Sequence, residues 1–423
     1  MKLTVTPFPH QQEYIKFALL CDFTLCGDQM GLGKTLSAIG VSVAMDCPTL
    51  VVAPAFLKHN WKAEYLKFTD IKESEISIDK LTSKSKVVIT SYSKLKSAAK
   101  YFKWADLVIA DEAHYLKNIE AQRTKYFHQG IKNNKPSRLC LLSGTAVKNR
   151  VEEFYSLLVL LSYCPNNSNG KKIQDKFKTK YKFARHFSNE RVFNIRKDGY
   201  SVEVRKFEGL RNEQELKTYF RGKYMRRMTS QVIDLPELRD RYVEVNYDYD
   251  DIELQLAYEK FTGKKDGHIM AIKKGSAVAK APFTADYAKN IHSETGEPVV
   301  IFSDHIDPVH IIARKLGKKA AVITGATDMA ERHHIVQAFQ TGRLDYLVAT
   351  IGAASTGLTL TASSNLIFND MSYVPADNAQ ASKRIHRIGQ EKLCTIHKIC
   401  GSAIDKSIMN SLASKQATLD KIL

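Results

Sequence analysis

One stretch constrains this chain more than any other: Asp28-Gln29-Met30-Gly31-Leu32-Gly33-Lys34-Thr35, set between a short apolar run and a helix-like run. Phe23-Thr24-Leu25-Cys26 reads as a strand leading in, and Thr35 to Ala44 as a helix leading out. A strand–loop–helix of this kind brings backbone N–H groups, the positive end of a helix and one ammonium onto a phosphate. Gly31 and Gly33 allow the close backbone approach, Lys34 suits the β- and γ-phosphates of a nucleotide, and the Thr35 hydroxyl suits Mg²⁺. Asp28, Met30 and Leu32 belong to the same expected nucleotide-binding loop. Asp28 stands where the general pattern has its first glycine, so the stretch alone leaves an ordinary glycine-rich turn open.

A second motif narrows the choice. Asp106-Leu107-Val108-Ile109-Ala110 reads as a buried parallel strand that ends at the box Asp111-Glu112-Ala113-His114. The carboxyl end of such a strand is where catalytic carboxylates sit in open α/β sheets. Asp111 is expected to hold the Mg²⁺ together with Thr35, and Glu112 to polarise an attacking water. An exposed acidic turn is the competing reading, and it loses ground because a phosphate loop precedes the box.

Composition fits a large enzyme of the reducing interior. A chain of 423 residues is long enough for two or three domains with their own cores. No apolar run of about 18 residues and no signal-like N-terminus is present, so neither membrane insertion nor secretion is expected. The seven cysteines show no paired framework, and Cys21 and Cys26 are too isolated to argue for zinc. The histidines show no metal-ligand spacing. The formal charge of +18 points to a polyanionic partner, and residues 171–227 concentrate it, with 18 Lys/Arg against 7 Asp/Glu. A solubilising surface is the alternative, but solubility needs no such concentration.

Two similar halves flank that basic middle. Leu50–Ala53, Val87–Thr90, Leu107–Ala110 and Leu139–Leu142 alternate with helical stretches, and Val299–Phe302, Ala321–Thr324, Tyr346–Ala349 and Asn365–Phe368 repeat the pattern. The expectation is α/β, with two parallel-sheet lobes. Between them, Arg191–Arg196 and Ser201–Arg205 alternate in character around Lys197-Asp198-Gly199-Tyr200, which predicts a projecting basic β-hairpin.

The ordered motifs resemble the Snf-type branch of the superfamily-two helicase-like ATPases over nearly the whole chain, and most closely its compact HARP-like annealing-helicase and branch-remodelling group. Pro9-His10-Gln11 resembles the adenine-reading glutamine motif, with Gln11 as the base contact. Val51–Pro54, Asn60-Trp61 and Ile89–Tyr92 resemble the first-lobe DNA-tracking motifs, and Leu142–Ala146 the coupling motif. Tyr224–Arg227 and Leu235-Pro236 resemble the segment closing the first lobe. In the second half, Val300–Ser303, Thr324-Gly325 and the glycine-rich Thr350–Thr361, with Gly352, Ser355, Thr356, Gly357 and Leu358, resemble successive motifs of the second lobe. Gln380 to Gln390 is the most specific match, and there Arg384 and Arg387 would neutralise the departing γ-phosphate once the lobes close. Gln29 for the usual glutamate, Ala146 for proline, and Tyr373-Val374-Pro375 for a tryptophan-containing turn are departures that remove no reacting group.

The resemblance implies two RecA-like lobes with an ATP cleft between them and an inserted hairpin. The expected bounds are 1–165 for the first lobe, 166–248 for the insertion and closing segment, and 249–423 for the second lobe. It implies ATP and Mg²⁺ as cofactors, with Lys34, Asp111, Glu112, Arg384 and Arg387 in catalysis. Gln11, the loop residues and Gly357 would bind nucleotide. The expected partner is duplex and branched DNA, gripped by its backbone largely without regard to sequence, by a monomeric, intracellular motor of the cytoplasm, nucleoid or nucleus. A conventional strand-separating DNA or RNA helicase, or a translocase displacing bound proteins such as polymerase, is the alternative.

Overall fold

The computed structural model describes residues 1–144, 151–164, 168–197, 200–232, 234–245, 265–354, 358–401, 405–406, 408–410 and 412. Thr145, Ala146, Asp198, Gly199, Ser355, Thr356 and Gly357, all named above from sequence, lie outside them. The described residues divide into two compact units, the first running through Val232 and the second comprising those that follow it.

The first unit is built on a seven-stranded sheet. Its strands are β1 (Phe23–Cys26), β2 (Thr49–Ala53), β3 (Ile76–Ile78), β4 (Val87–Ser91), β5 (Leu107–Asp111), β6 (Arg138–Leu142) and β9 (Tyr224–Met225). All pair in parallel, in the order β3-β4-β2-β5-β6-β1-β9. The central strands are near-continuous Val, Ile and Leu because helices cover both faces, and alternate residues feed two separate cores. Leu50, Val52, Val108 and Leu141 face one, Val51, Ile89, Ile109 and Leu142 the other. Truncating a wholly buried member such as Ile109 to alanine is expected to cost roughly 2–5 kcal/mol.

The basic insertion is anchored rather than loose. Phe177, Phe183, Phe187, Tyr219 and Phe220, on and around the helices Lys180–Phe187 and Glu213–Phe220, join the first of these cores. From this base rises the expected hairpin, β7 (Asn189–Lys197) paired antiparallel with β8 (Tyr200–Glu208), Lys197 lying opposite Tyr200. Both strands run longer than the alternation alone indicated.

The second unit holds a six-stranded, all-parallel sheet in the order β10-β15-β14-β11-β13-β12. Its strands are β10 (Leu238–Glu244), β11 (Val299–Ser303), β12 (Ala320–Ile323), β13 (Tyr346–Thr350), β14 (Asn365–Phe368) and β15 (Cys394–Cys400). The helix Lys265–Thr295 lays Ala281, Ala285, Ala288 and Ile291 against one face. The five strands expected in the first half and the four in the second are all present. The expectation passed over β3, β9, β10 and β15, and β10 shows why: Leu-Arg-Asp-Arg-Tyr-Val-Glu is an exposed, charged edge strand with no apolar run to reveal it.

Candidate nucleotide site

Strand order brings the two chemical motifs together. β1 and β5 flank β6, so the loop leaving β1 and the box ending β5 emerge from the same edge of the sheet. Gly33 opens the helix Lys34–Met45 in a left-handed conformation (φ +72°), and a Cβ there would collide with the Gln11 side-chain amide, so the position favours glycine. Lys34 Nζ donates to the backbone carbonyl oxygens of Asp28 at 2.8 Å and Gln29 at 3.4 Å, folding the ammonium back over its own loop.

Gln11 is buried behind the loop. Its Nε2 donates to the carbonyls of Leu32 and Gly33, and its Oε1 accepts from the Phe8 amide, which caps its own helix. His10 Nε2 also reaches the Leu32 carbonyl at 2.9 Å. The glutamine motif thus braces the phosphate loop from below.

Asp28 meets a partner that sequence reading had not connected to it. Arg227, just beyond β9, donates to Asp28 Oδ1 from its backbone N–H and Nε, and to Oδ2 at 2.5 Å from Nη2. The same guanidinium reaches the His10 carbonyl and Glu13, while the Thr229 amide donates to Gln29 Oε1. Tyr224–Arg227 therefore straps the loop. The signal was available as a buried acid at the loop's start and a paired arginine 199 residues away, but spacing alone cannot join them.

At the end of β5, Asp111 Oδ1 accepts from the Glu112 amide at 2.9 Å, Oδ2 from the Trp61 indole N–H at 2.8 Å, and the Asp111 carbonyl from the Tyr92 hydroxyl at 2.7 Å. Glu112 adopts φ +50°, a left-handed conformation rare outside glycine and costing about 1–3 kcal/mol. Its Oε2 lies 3.1 Å from His114 Nδ1. Burial, and then the neighbouring Glu112 charge, holds the Asp111 carboxyl well above its usual range, against the weaker pull of Trp61 and Lys34. The Thr35 hydroxyl and the Asp111 carboxylate are the oxygen donors Mg²⁺ takes, and a carboxylate pair short of positive charge is what a divalent ion relieves. The residues fit that ion.

In the second unit, the helix Pro375–Ser382 ends just before the cationic motif, so Arg384 and Arg387 stand on the turns that follow it. Gln390 fixes these turns, its Nε2 donating to the carbonyls of Ser363 and Ile385 and its Oε1 accepting from the Lys392 amide. His386 Nε2 meets the Pro236 carbonyl at 2.8 Å, and Lys383 meets its Nδ1. Arg384 is nearly buried and Arg387 partly so. Among the described residues, no helix is long and apolar enough to cross a membrane. All seven cysteines are free.

Two parallel α/β sheets, a phosphate loop braced by a glutamine motif and a strand-end carboxylate pair define a two-lobed, helicase-like ATPase. A sequence profile of the SNF2-related domain matches residues 10–290, and one of the helicase conserved C-terminal domain matches 284–389. The chain belongs to the SNF2-related family of nucleic-acid-dependent ATPases. It is 27% identical to the DNA annealing helicase and endonuclease ZRANB3 of Bos taurus, over 98% of this chain and 40% of that protein. It is also 27% identical to a Caenorhabditis elegans homologue of the SWI/SNF-related matrix-associated actin-dependent regulator of chromatin subfamily A-like protein 1, over 98% of this chain and 61% of the relative. The Sulfolobus solfataricus SWI2/SNF2 ATPase core, solved with dsDNA, aligns over 99% of this chain and 93% of its own at a TM-score of 0.45 and 21% identity. The chain spans about 40% of the length of the ZRANB3 relatives it matches.

Proposed function

We propose that this chain is a DNA-stimulated ATPase that translocates along duplex DNA and remodels branched structures such as forks and four-way junctions. The observation that carries the reading is the basic insertion: a hairpin rising from an aromatic base beside the first lobe, in the stretch where the chain concentrates its positive charge. Tyr181 and Arg205 lock its base, the guanidinium stacking 5.5 Å over the ring, while Phe193 and Tyr200 stay exposed. A cationic ribbon with exposed aromatic rings suits a point where strands diverge, since phosphate contacts give affinity and rings can stack on unpaired bases. Similarity to an annealing helicase over nearly the whole chain supports the same substrate class.

In this reading Lys34 holds the phosphates, and Glu112 orients the attacking water and takes up its proton. Mg²⁺, when bound at Thr35 and Asp111, supplies charge neutralisation for the β- and γ-phosphates. Arg384 and Arg387 stabilise charge on the γ-phosphate when the lobes close, which makes hydrolysis conditional on closure, and closing and reopening move two backbone grips along one strand. Gly357 belongs to the second-lobe nucleotide contacts. The same reading makes the motor monomeric and intracellular, with one division near residue 165; the other, expected near 248, falls after Val232, because β10 pairs with β15 in the second unit's sheet.

Two measurements test this. ATPase rates with single-stranded DNA, duplex, fork, junction and RNA should be highest with duplex-containing branched DNA, and preferential stimulation by RNA or single strands would overturn the reading. Deleting residues 192–204 and bridging with a short Gly/Ser linker should keep ATPase stimulation by plain duplex while fork remodelling collapses. Equal loss on both substrates would rule out branch recognition by the hairpin.

A further inference from the structure

Trp61 has a bond that packing does not require. It is 1% exposed on the helix Lys58–Phe68, and its ring packs near Tyr65 at 6.2 Å. Yet its indole N–H aims at Asp111 Oδ2, 2.8 Å away, while the Glu112 amide takes Oδ1 and the Tyr92 hydroxyl takes the Asp111 carbonyl. The strand-end aspartate is thus pinned at three points. Two of the pinning side chains, Trp61 and Tyr92, come from the segments that follow β2 and β4. Tyr92 in turn stacks on Tyr115, ring centroids 5.2 Å apart, and Arg123 covers Tyr115 and donates to its carbonyl.

An indole N–H can only donate. It therefore fixes the rotation of a carboxylate without adding a charge that would compete with a cation. A tryptophan buried merely for its bulk would find its single polar atom a backbone carbonyl as readily as the one carboxylate placed to serve the metal. We propose that Trp61 is a positioning residue for Asp111: it sets the orientation in which that carboxylate meets Mg²⁺ and makes the segment after β2 mechanically continuous with the metal site. This rests on the ATPase reading and adds to it a route by which a partner engaging that segment is felt at the nucleotide.

Partners that orient a metal ligand are worth roughly 10–100-fold in metal affinity when removed. The first test uses Trp104→Phe protein, which leaves Trp61 as the sole indole of the two in the chain. Its emission is recorded while Mg²⁺ is titrated into the ADP-bound protein. A saturable change that EDTA reverses is expected, and the same titration with Asp111→Asn in the Trp104→Phe background should be flat. The second test is Trp61→Phe, which keeps most of the bulk and loses the donor. The Mg²⁺ concentration for half-maximal nucleotide binding should rise roughly 10-fold or more, with metal-free ADP binding unchanged. A flat emission titration in the Trp104→Phe protein overturns the proposal, as does an unchanged Mg²⁺ requirement in folded Trp61→Phe. If Trp61→Phe fails to fold, the emission experiment decides alone. Failure of the unmodified protein to bind ADP at all would instead sink the underlying ATPase reading.

Discussion

Each lobe places an aspartate at or just past the carboxyl end of a sheet strand, Asp111 half-buried and Asp370 buried, and the two carboxylates live in opposite electrostatic worlds. Asp111 ends β5 beside a second acid, and burial with that neighbour holds its carboxyl above the usual range. Asp370 follows β14 and is fully provided for: His305 Nδ1 lies 2.9 Å from Oδ2, while the Ser303 hydroxyl and the amide of Asp304 donate to Oδ1. Burial pushes the Asp370 carboxyl up, but the bonds from His305 and Ser303 outweigh it and leave it below the ordinary range. Ligand atoms of Asp304, His305 and Asp370 gather within 4.8 Å, close enough for a cation, yet the buried Lys273 ammonium already pairs with Asp304. On the proposed function, the difference separates a carboxylate pair that would take its positive charge from a bound ion from a network whose positive charge is built in.

The largest effects should follow from disturbing the first of these. Lys34→Ala and Glu112→Gln are both expected to abolish turnover in folded protein, by roughly 10²–10⁴-fold or more, but to differ in kind. Loss of Lys34 should weaken nucleotide binding, whereas Glu112→Gln should leave ATP bound and unhydrolysed. Normal turnover in folded Glu112→Gln protein, measured beside equilibrium ATP binding, would remove the carboxylate pair from the chemistry. Arg387→Ala, in the other lobe, should lower kcat by roughly 10³-fold with a much smaller change in ATP affinity. A raised KM with kcat retained would make this arginine a binding group and end the closure mechanism.

What the sequence disclosed, and what it hid, follows the same division. The phosphate loop, the acidic box and nine sheet strands were legible because each is a local pattern: glycines beside a lysine, or an apolar run. The Arg227 grip on Asp28, the Trp61 bond to Asp111 and the Asp304–His305–Asp370 cluster were not, because each joins residues far apart in the chain that only the strand order makes neighbours. From sequence, Trp61 reads only as part of a DNA-tracking motif, since a tryptophan's hydrogen-bond partner leaves no trace in spacing. The histidines offered no ligand spacing, yet the fold carried one of them to two aspartates. β9 and β10 escaped for a further reason: one is two residues long and the other polar and exposed, so neither buries the apolar surface that makes a strand visible.

Asp370 should reveal itself through stability rather than chemistry. Asp370→Ala leaves His305 and the Ser303 hydroxyl facing a void, and removing one partner from a buried charged network costs roughly 3–5 kcal/mol. Denaturant unfolding should show that loss, while ADP binding by the remaining folded protein changes little. A variant as stable as the parent would mean that the network is not closed, and that Lys273 rather than His305 carries the local balance.

The smallest effect concerns two histidines held neutral, one in each lobe. Burial pushes both His128 and His397 down from 6.5 to about 4, with a nearby Arg241 adding to the effect at His397. His128 meets the Ser156 hydroxyl at 3.1 Å; His397 is held on both sides, by the Tyr287 hydroxyl and by Asn365 Oδ1. A base whose folded pKa is depressed takes its proton more readily when unfolded, so stability is whole above about 6.5 and drains away as pH falls towards 4. The drain is at most roughly 3–4 kcal/mol for each group. His128→Gln and His397→Gln should each flatten the stability-versus-pH curve across that window, read by urea unfolding at steps between pH 7 and pH 4. They should differ at pH 7, where both of these histidines are largely neutral: His397→Gln gives up two fixed hydrogen bonds and should lose more than His128→Gln. Unchanged slopes in both variants would show that the acid sensitivity lies with the carboxylates instead, and would return the comparison of the lobes to Asp111 and Asp370 alone.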